Sequence, residues 1–439
     1  MDTIKRKKFY TTFFISFYVF LFGLLFFLEP IDEILAGYKN IFTSSSILLT
    51  DYLLIGGISA TIFNLLTTTG LNILILKWMK VEFSGGIFAC LLTIAGFSLF
   101  GKNLYNALPI YLGVFLYAKA SKTSLKSHVL VFLLSSGISP ITSYLIFGAG
   151  FSLGVGILLG ILIGVFIGFV LPAFNAFSMK FHQGYNLYNT GFSMGVLSMM
   201  VTGVLASFGR DVIRNDLLST RYHDVLLIAT LVISLLFILL ALIENRSVFN
   251  HYSIIFKKSG RLLTDFFSEV GIDVTLLNIG IMGLLSIVVV LILGININGP
   301  VMGAILTILG FSAFGKHPLN SFPVILGAIL AIEFTSIEWT AGSVLAVLFV
   351  TGIAPIAGQY GFFVGIVVGF VHVMITPLAL SFQGGFDLYN NGFAAGFVAA
   401  VFAPVLARFL KPRDESEKWN YFLPFLRNEK TKENGSGQV

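Results

Sequence analysis

The chain carries one pattern twice, so any fold open to one half must also be open to the other. Thr93-Ile-Ala-Gly-Phe-Ser-Leu-Phe-Gly-Lys102 recurs as Thr307-Ile-Leu-Gly-Phe-Ser-Ala-Phe-Gly-Lys316, at an offset of 214 (307 − 93). The same offset carries Asn106 onto Asn320, Pro109 onto Pro323 and Gly113 onto Gly327. His182-Gln-Gly-Tyr-Asn-Leu-Tyr-Asn-Thr-Gly-Phe192 recurs as Gln383-Gly-Gly-Phe-Asp-Leu-Tyr-Asn-Asn-Gly-Phe393, at an offset of 201 (383 − 182). Between them, Gly137-Ile-Ser-Pro140 matches Gly352-Ile-Ala-Pro355. Three matches in the same order argue against chance. Duplicated hydrophobic halves, interrupted by Gly and Pro at corresponding places, are a sequence sign of transporters and channels whose site lies between the repeats.

Composition decides the solvent. Of 439 residues, 56% are hydrophobic and only 11% charged, against about 25% charged in soluble globules. The mean hydropathy is +0.92. Apolar stretches long enough to cross a hydrocarbon core of roughly 30 Å recur along the chain. They lie at about 9–28, 53–77, 84–100, 105–118, 127–147, 152–176, 187–207 and 222–243, and again at 273–294, 299–314, 321–335, 339–359, 361–380 and 388–409. The expectation is an all-α, polytopic membrane protein of roughly fourteen apolar segments. Segments 105–118 and 321–335 are short and pair with their predecessors as candidate re-entrant hairpins, tolerated where protein or water covers the backbone.

The start, with Lys5, Arg6, Lys7 and Lys8 ahead of an apolar run at 9–28, resembles a signal peptide. The run is too long for that and no small-residue cleavage site follows, so it reads as an uncleaved first helix. Basic loops set the orientation. Lys119, Lys122 and Lys126, then Arg246, Lys257, Lys258 and Arg261, then Arg408, Lys411 and Arg413 fall on the same side as the basic N-terminus. Arg210, Arg214 and Arg221 fall on the other side, with Asp211 and Asp216 among them. Both ends are then expected in the cytoplasm of a prokaryotic cell (inner) membrane. An odd number of crossings separates the two Lys-terminated motifs, which makes the second repeat inverted. The expected divisions are 1–52 (first helix and linker), 53–221 (repeat 1), 222–272 (linking helix and cytoplasmic linker), 273–410 (repeat 2) and 411–439 (polar cytoplasmic tail).

Each motif has a structural and a functional reading. Gly101 and Gly315 suit helix C-caps, with Lys102 and Lys316 facing the last carbonyls. Alternatively, Ser98 and Ser312 line a path at a helix break, with Lys102 and Lys316 attracting anions at its mouths. Pro140 and Pro355 fall inside apolar runs, where loss of the N–H and a clash with a preceding carbonyl kink or break the helix. Tyr188 and Asn189, like Tyr389 and Asn390, open segments with Gly-x-x-x-Gly spacing, which admits a close helix neighbour. An amide in a poorly hydrated place needs partners, so these four are candidate solute-binding residues, expected to converge at the protein centre. Two positions break the symmetry: Asn186 becomes Asp387, and Leu171 becomes His372. Intramembrane ionisable groups are functional candidates, here for a coupling proton or sodium ion, although Asp387 also suits a helix cap and His372 a packing role. Glu333 and Glu338 read as hydrated loop groups. Cys90 stands alone in an apolar stretch, which excludes an intrachain disulfide, and no Cys/His spacing suggests a metal. No phosphate-binding loop, dinucleotide fingerprint or Gly-x-Ser-x-Gly elbow is present. Neither an enzyme nor a cofactor is indicated, and the basic balance is explained by lipid rather than nucleic acid.

At these motifs the chain resembles an uncharacterised prokaryotic multipass membrane family, the domain of unknown function 1576 type, from about Leu53 to Phe409. That resemblance implies no activity. The Tyr-Asn-x-Gly-Phe pattern in an inverted duplication also looks like urea-channel-type proteins, a similarity of a few residues in each half. The expectation is a transporter or channel for a small polar solute or anion, alone or as a homo-oligomer. Rival readings are a proton- or sodium-coupled carrier using Asp387 and His372, and a non-transporting membrane scaffold or sensor.

Overall fold

The computed structural model describes residues 3–214, 216–413 and 421–422; the expected tail at 411–439 otherwise lies outside them. Among the described residues the regular structure is helical, and β contacts are limited to the isolated bridges Thr50–Leu217 and Asp51–Phe100. Two helices lead in, α1 (Thr3–Leu28) and α2 (Ile31–Thr43). The first repeat follows as α3 (Tyr52–Trp78), α4 (Gly85–Phe97), α5 (Leu104–Ala120), α6 (Leu125–Gly148), α7 (Leu153–Phe181) and α8 (Asn189–Ser207). A linking helix, α9 (His223–Glu244), leads to the second repeat. This comprises α10 (Ile272–Ile292), α11 (Gly299–Phe311), α12 (Pro318–Phe334), α13 (Ala341–Tyr360), α14 (Phe362–Phe382) and α15 (Asn390–Phe409).

Every one of the fourteen apolar segments lies on a helix. Nine helices among the described residues are long and apolar enough to cross a bilayer: α3, α6 to α10 and α13 to α15. The chain is a multipass membrane protein. Helices α4 and α11 have 13 residues each, which at about 1.5 Å per residue reach only about 20 Å. They are too short to span and are followed by 17-residue helices, α5 and α12. Helix α2 is not among the apolar segments because it is amphipathic. It buries Ile34, Gly37 and Ile41 while Asp32 and Glu33 begin its first turn.

Pro140 and Pro355 do break their helices. Helix α6 passes through a 3-10 turn at Ser135–Ile138 before Pro140, and α13 through one at Val350–Ile353 before Pro355. The two repeats also share a positive-φ glycine that the motifs did not reveal, inside α3 in repeat 1 and just ahead of α10 in repeat 2. Gly57 (φ 77°) and Gly271 (φ 97°) are 214 apart, and each is followed by a Thr whose hydroxyl donates to that glycine's carbonyl, Thr61 at 2.6 Å and Thr275 at 2.7 Å.

Helices pack where glycine lets backbones touch. Helix α8 crosses α15 at the two Gly-x-x-x-Gly stretches. A Cβ on Gly191 would sit 2.6 Å from that of Tyr389, and one on Gly195 2.6 Å from that of Phe393. Helix α7 meets α5 in the same way: a Cβ on Gly168 would lie 2.0 Å from the carbonyl oxygen of Ile110. In repeat 2, a Cβ on Gly369 would lie 2.2 Å from the carbonyl oxygen of Val324 on α12. Backbone cannot retreat as a side chain can. Gly168→Ala should therefore force α5 from α7 and cost about 1–3 kcal/mol, as overpacking does, read as a lower unfolding temperature in detergent. Gly154→Ala on the same helix, with nothing within 4 Å, should leave that temperature unchanged or raise it.

Candidate functional site

The site is built on exchange between repeats. The 3-10 turns before Pro140 and Pro355 leave carbonyls without the helical partner they would otherwise have. Gly137 O accepts from Leu388 N at 2.9 Å, and Gly352 O accepts from Leu187 N at 2.9 Å. Each Leu-Tyr-Asn loop is therefore docked on the broken helix of the other repeat. Asn186 Oδ1 and Asp387 Oδ1 each accept from the tyrosine N–H two residues on, both at 2.9 Å. This local turn aims Tyr188 and Tyr389 at each other, with ring centroids 5.0 Å apart. Tyr389 OH bonds to Thr93 in repeat 1 at 2.9 Å, and Tyr188 OH accepts from Lys316 in repeat 2.

A second exchange caps the short helices. Asp51 Oδ2 accepts from Gly299 N at 3.2 Å at the start of α11, and Asp265 Oδ2 accepts from Gly85 N at 3.1 Å at the start of α4. The far ends of these helices are held within each repeat. Asn64 Nδ2 donates to the carbonyls of Ser98 and Lys102, both at 2.8 Å, and Asn278 Nδ2 to those of Ser312 and Lys316, both at 2.7 Å. Asp51/Asp265 and Asn64/Asn278 were not singled out from the sequence, although they lie at the same offset of 214. Extending that register upstream of Thr93 would have found them.

The lysines do not stand at mouths. Lys102 and Lys316 are both wholly buried, which removes the geometric basis for their attracting anions from solvent. Nor do their side chains cap carbonyls, a task taken by Asn64 and Asn278. Lys102 Nζ donates to Ser136 at 2.7 Å and Tyr111 at 3.2 Å, and Lys316 Nζ to Thr351 at 2.8 Å and to Tyr188. Ser136 and Thr351 belong to the broken helices, so each lysine ties its own Lys motif to its own Pro break. Ser98 and Ser312 are also buried. Their hydroxyls donate to Ile94 O and Ile308 O, each at 2.7 Å, and neither residue lines a cavity described below.

Two cavities flank this central seam at corresponding places. The first, of about 60 Å³, is lined by Leu130, Val131, Asn175, Met179, Asn189 and Thr190, with Leu262 and Leu263 across it. The second, of about 360 Å³, is lined by their counterparts Leu345, Ala346, Thr376, Leu380, Asn390 and Asn391, with Leu48 and Leu49 across it. The Leu-Leu straps are themselves 214 apart and pair across repeats, Leu48 N to Gly385 O at 2.9 Å and Leu262 N to Gly184 O at 3.0 Å. The tyrosines thus converge as expected, while Asn189 and Asn390 line separate cavities.

The two cavities also differ in their polar groups. Asn189 is fully engaged: Oδ1 pairs with His182 Nε2 at 2.7 Å, and Nδ2 donates to Asn175 O at 3.0 Å. In repeat 2, Asn391 Nδ2 donates to Asn390 Oδ1 at 2.9 Å, while Asn391 Oδ1 has no partner among the described residues. His372 Nε2 reaches Asn391 O at 3.2 Å, which fixes the proton on Nε2 and leaves Nδ1 bare. Asp387 Oδ2 and both amide atoms of Gln383 are likewise buried without partners. His372 and Asp387 are both wholly buried. Exposed Glu338 stands at the rim of the larger cavity.

Replacing either central asparagine tests the frame on which these cavities rest. Asn278→Leu strands two buried carbonyls at the end of α11. It should destabilise the protein by about 2 kcal/mol or more, since a lost buried bond costs roughly 1–3 kcal/mol. Asn64→Leu should do the same at α4, and both are read as unfolding temperature in detergent.

Comparison with known proteins fits this division of the chain. No curated protein and no solved structure matches it. A family profile matches residues 31–207 and 244–408, leaving out the connecting loop and most of α9. The chain belongs to that family, described as protein of unknown function (DUF1576).

Proposed function

We propose that the protein is a membrane transporter that moves a small polar solute by opening two repeat-related cavities in turn. The observation that carries this reading is the pair of cavities, equivalent in position and sixfold different in volume (360 against 60 Å³). Two like half-sites in unlike states are what alternating access around a pseudo-dyad requires. The parity of spans supports inversion. Five long helices (α3 and α6 to α9) precede α10, and the short α4–α5 pair adds an even number of crossings or none. With a cytoplasmic N-terminus, basic residues of the α5–α6 loop and of the α9–α10 linker fall inside. The larger cavity then opens outward and the smaller one inward.

Met179→Cys and Leu380→Cys, equivalent positions lining the two cavities, test this reading in a Cys90→Ser background. In oriented vesicles, an impermeant maleimide should reach Leu380→Cys from outside and Met179→Cys from inside. Cross-linking either cavity shut should raise labelling of the other. Labelling of both from one face would end the inverted, alternating reading, and simultaneous labelling of both in every state would favour a channel.

A second reading, a carrier coupled to a proton or sodium ion, is favoured by the buried polar atoms of Asp387, His372 and Gln383 that have no partner among the described residues. Asp387→Asn restores the residue found at position 186. It should abolish accumulation against a gradient while preserving downhill flux in reconstituted vesicles. Unchanged accumulation would leave Asp387 as the turn residue that accepts from Tyr389 N.

A further inference from the structure

We propose that the larger cavity binds a small neutral solute bearing a primary amide, docked on the Asn390–Asn391 pair. The inference rests on the transporter reading for its purpose but on the cavity alone for its chemistry. Two side-chain amides that share one hydrogen bond leave one N–H group and one carbonyl unspent. Here these are Asn390 Nδ2, with no bond among the described residues, and Asn391 Oδ1. Exchanging N and O in both side chains reverses the shared bond but still leaves one donor and one acceptor. Asn391 is only 1% exposed, so its free carbonyl is a costly feature unless something donates to it.

Charge complementarity argues against ions. Among the described residues no Lys or Arg lines the cavity, and the one ionisable lining residue is Glu338, acidic and exposed at the rim. An anion would meet an acceptor at the floor and a carboxylate at the entrance. A cation would leave its charge buried at the floor with no counter-ion. A primary amide presents a donor and an acceptor side by side, the complement of what the pair leaves free, while Ala346 and Val373 give its carbon skeleton an apolar wall. The volume of about 360 Å³ lies at the lower end of small-molecule sites, roughly 300–1,000 Å³. The equivalent place in repeat 1 cannot bind in this way, because Asn189 has already spent both ends of its amide on His182 and Asn175.

Acetamide, acetate and acetamidinium share one planar shape and differ in charge, so they separate the classes. Titrated into the full-length protein in detergent, acetamide should raise the unfolding temperature in a saturable way, and the two ions should not. Asn391→Thr installs the residue that repeat 1 carries at position 190, so the variant should fold. It should weaken the acetamide response about tenfold, the equivalent of roughly one neutral hydrogen bond. Equal or greater protection by acetate or acetamidinium, no response to acetamide, or an unchanged response in Asn391→Thr would each overturn the proposal. Binding in detergent needs no translocation. Acetamide binding combined with one-sided cysteine labelling would sink the transport reading alone, and the converse pattern would sink this one alone.

Discussion

Everything in the centre depends on one constraint: a backbone carbonyl in a membrane interior must find a donor inside the protein. Breaking α6 and α13 at Pro140 and Pro355 releases Gly137 O and Gly352 O, and each is satisfied by a leucine N–H from the opposite repeat. Neither repeat can close this account alone. The same holds for the short helices, whose first N–H groups are taken by Asp51 and Asp265 of the other half. Intertwining follows from local chemistry, because a helix broken by proline must borrow partners and the nearest similar loop belongs to the second copy.

Burial of the tyrosine pair follows from that exchange. Docking Leu187 and Leu388 across repeats fixes the residue that comes next, and the Asn186 and Asp387 turns hold its N–H. Tyr188 and Tyr389 are thereby brought face to face and are each only 1% exposed. Successive residues entering a helix differ by about 100° in direction. Asn189 and Asn390 accordingly point away from the tyrosine contact, each toward its own flank. One central seam and two lateral cavities are the geometric outcome.

Much of the fold was legible because membrane helices advertise themselves by length. All fourteen apolar runs became helices, and the kinks at Pro140 and Pro355 followed from the missing N–H. What escaped was whatever the apolar count does not see. Amphipathic α2 buries one narrow face. The straps Leu48–Leu49 and Leu262–Leu263 are too common in composition to register as a repeat, although they extend the correspondence ahead of residues 53 and 273. Lys102 and Lys316 were expected at mouths because an ammonium in hydrocarbon is costly. The hydroxyls of Ser136 and Thr351 that receive them lie some 35 residues away in each repeat, beyond the reach of motif spacing. The tyrosine convergence could be read from the motif. The separation of the asparagines could not, since it depends on where the pseudo-dyad passes.

The differences between the copies lie where the similarities do not. The residues that lock the repeats together are the same in both, Asp51 with Asp265, Gly137 with Gly352 and Tyr188 with Tyr389, as are Asn64 and Asn278, which hold the short helices within each repeat. Other pairs diverge: Asn175 with Thr376 and Thr190 with Asn391 at the cavity walls, and His182 with Gln383, Asn186 with Asp387 and Leu171 with His372 outside the lining. On the repeat 1 side His182 pairs with Asn189, whereas on the repeat 2 side Gln383, Asp387, His372 and Asn391 each hold a buried polar atom with no partner among the described residues. A frame needs equal partners, since a bond exchanged across a pseudo-dyad has the same requirements at both ends. The exchanged backbone bonds and carboxylate caps therefore stay equivalent in the two repeats, while several of the polar side chains around them do not.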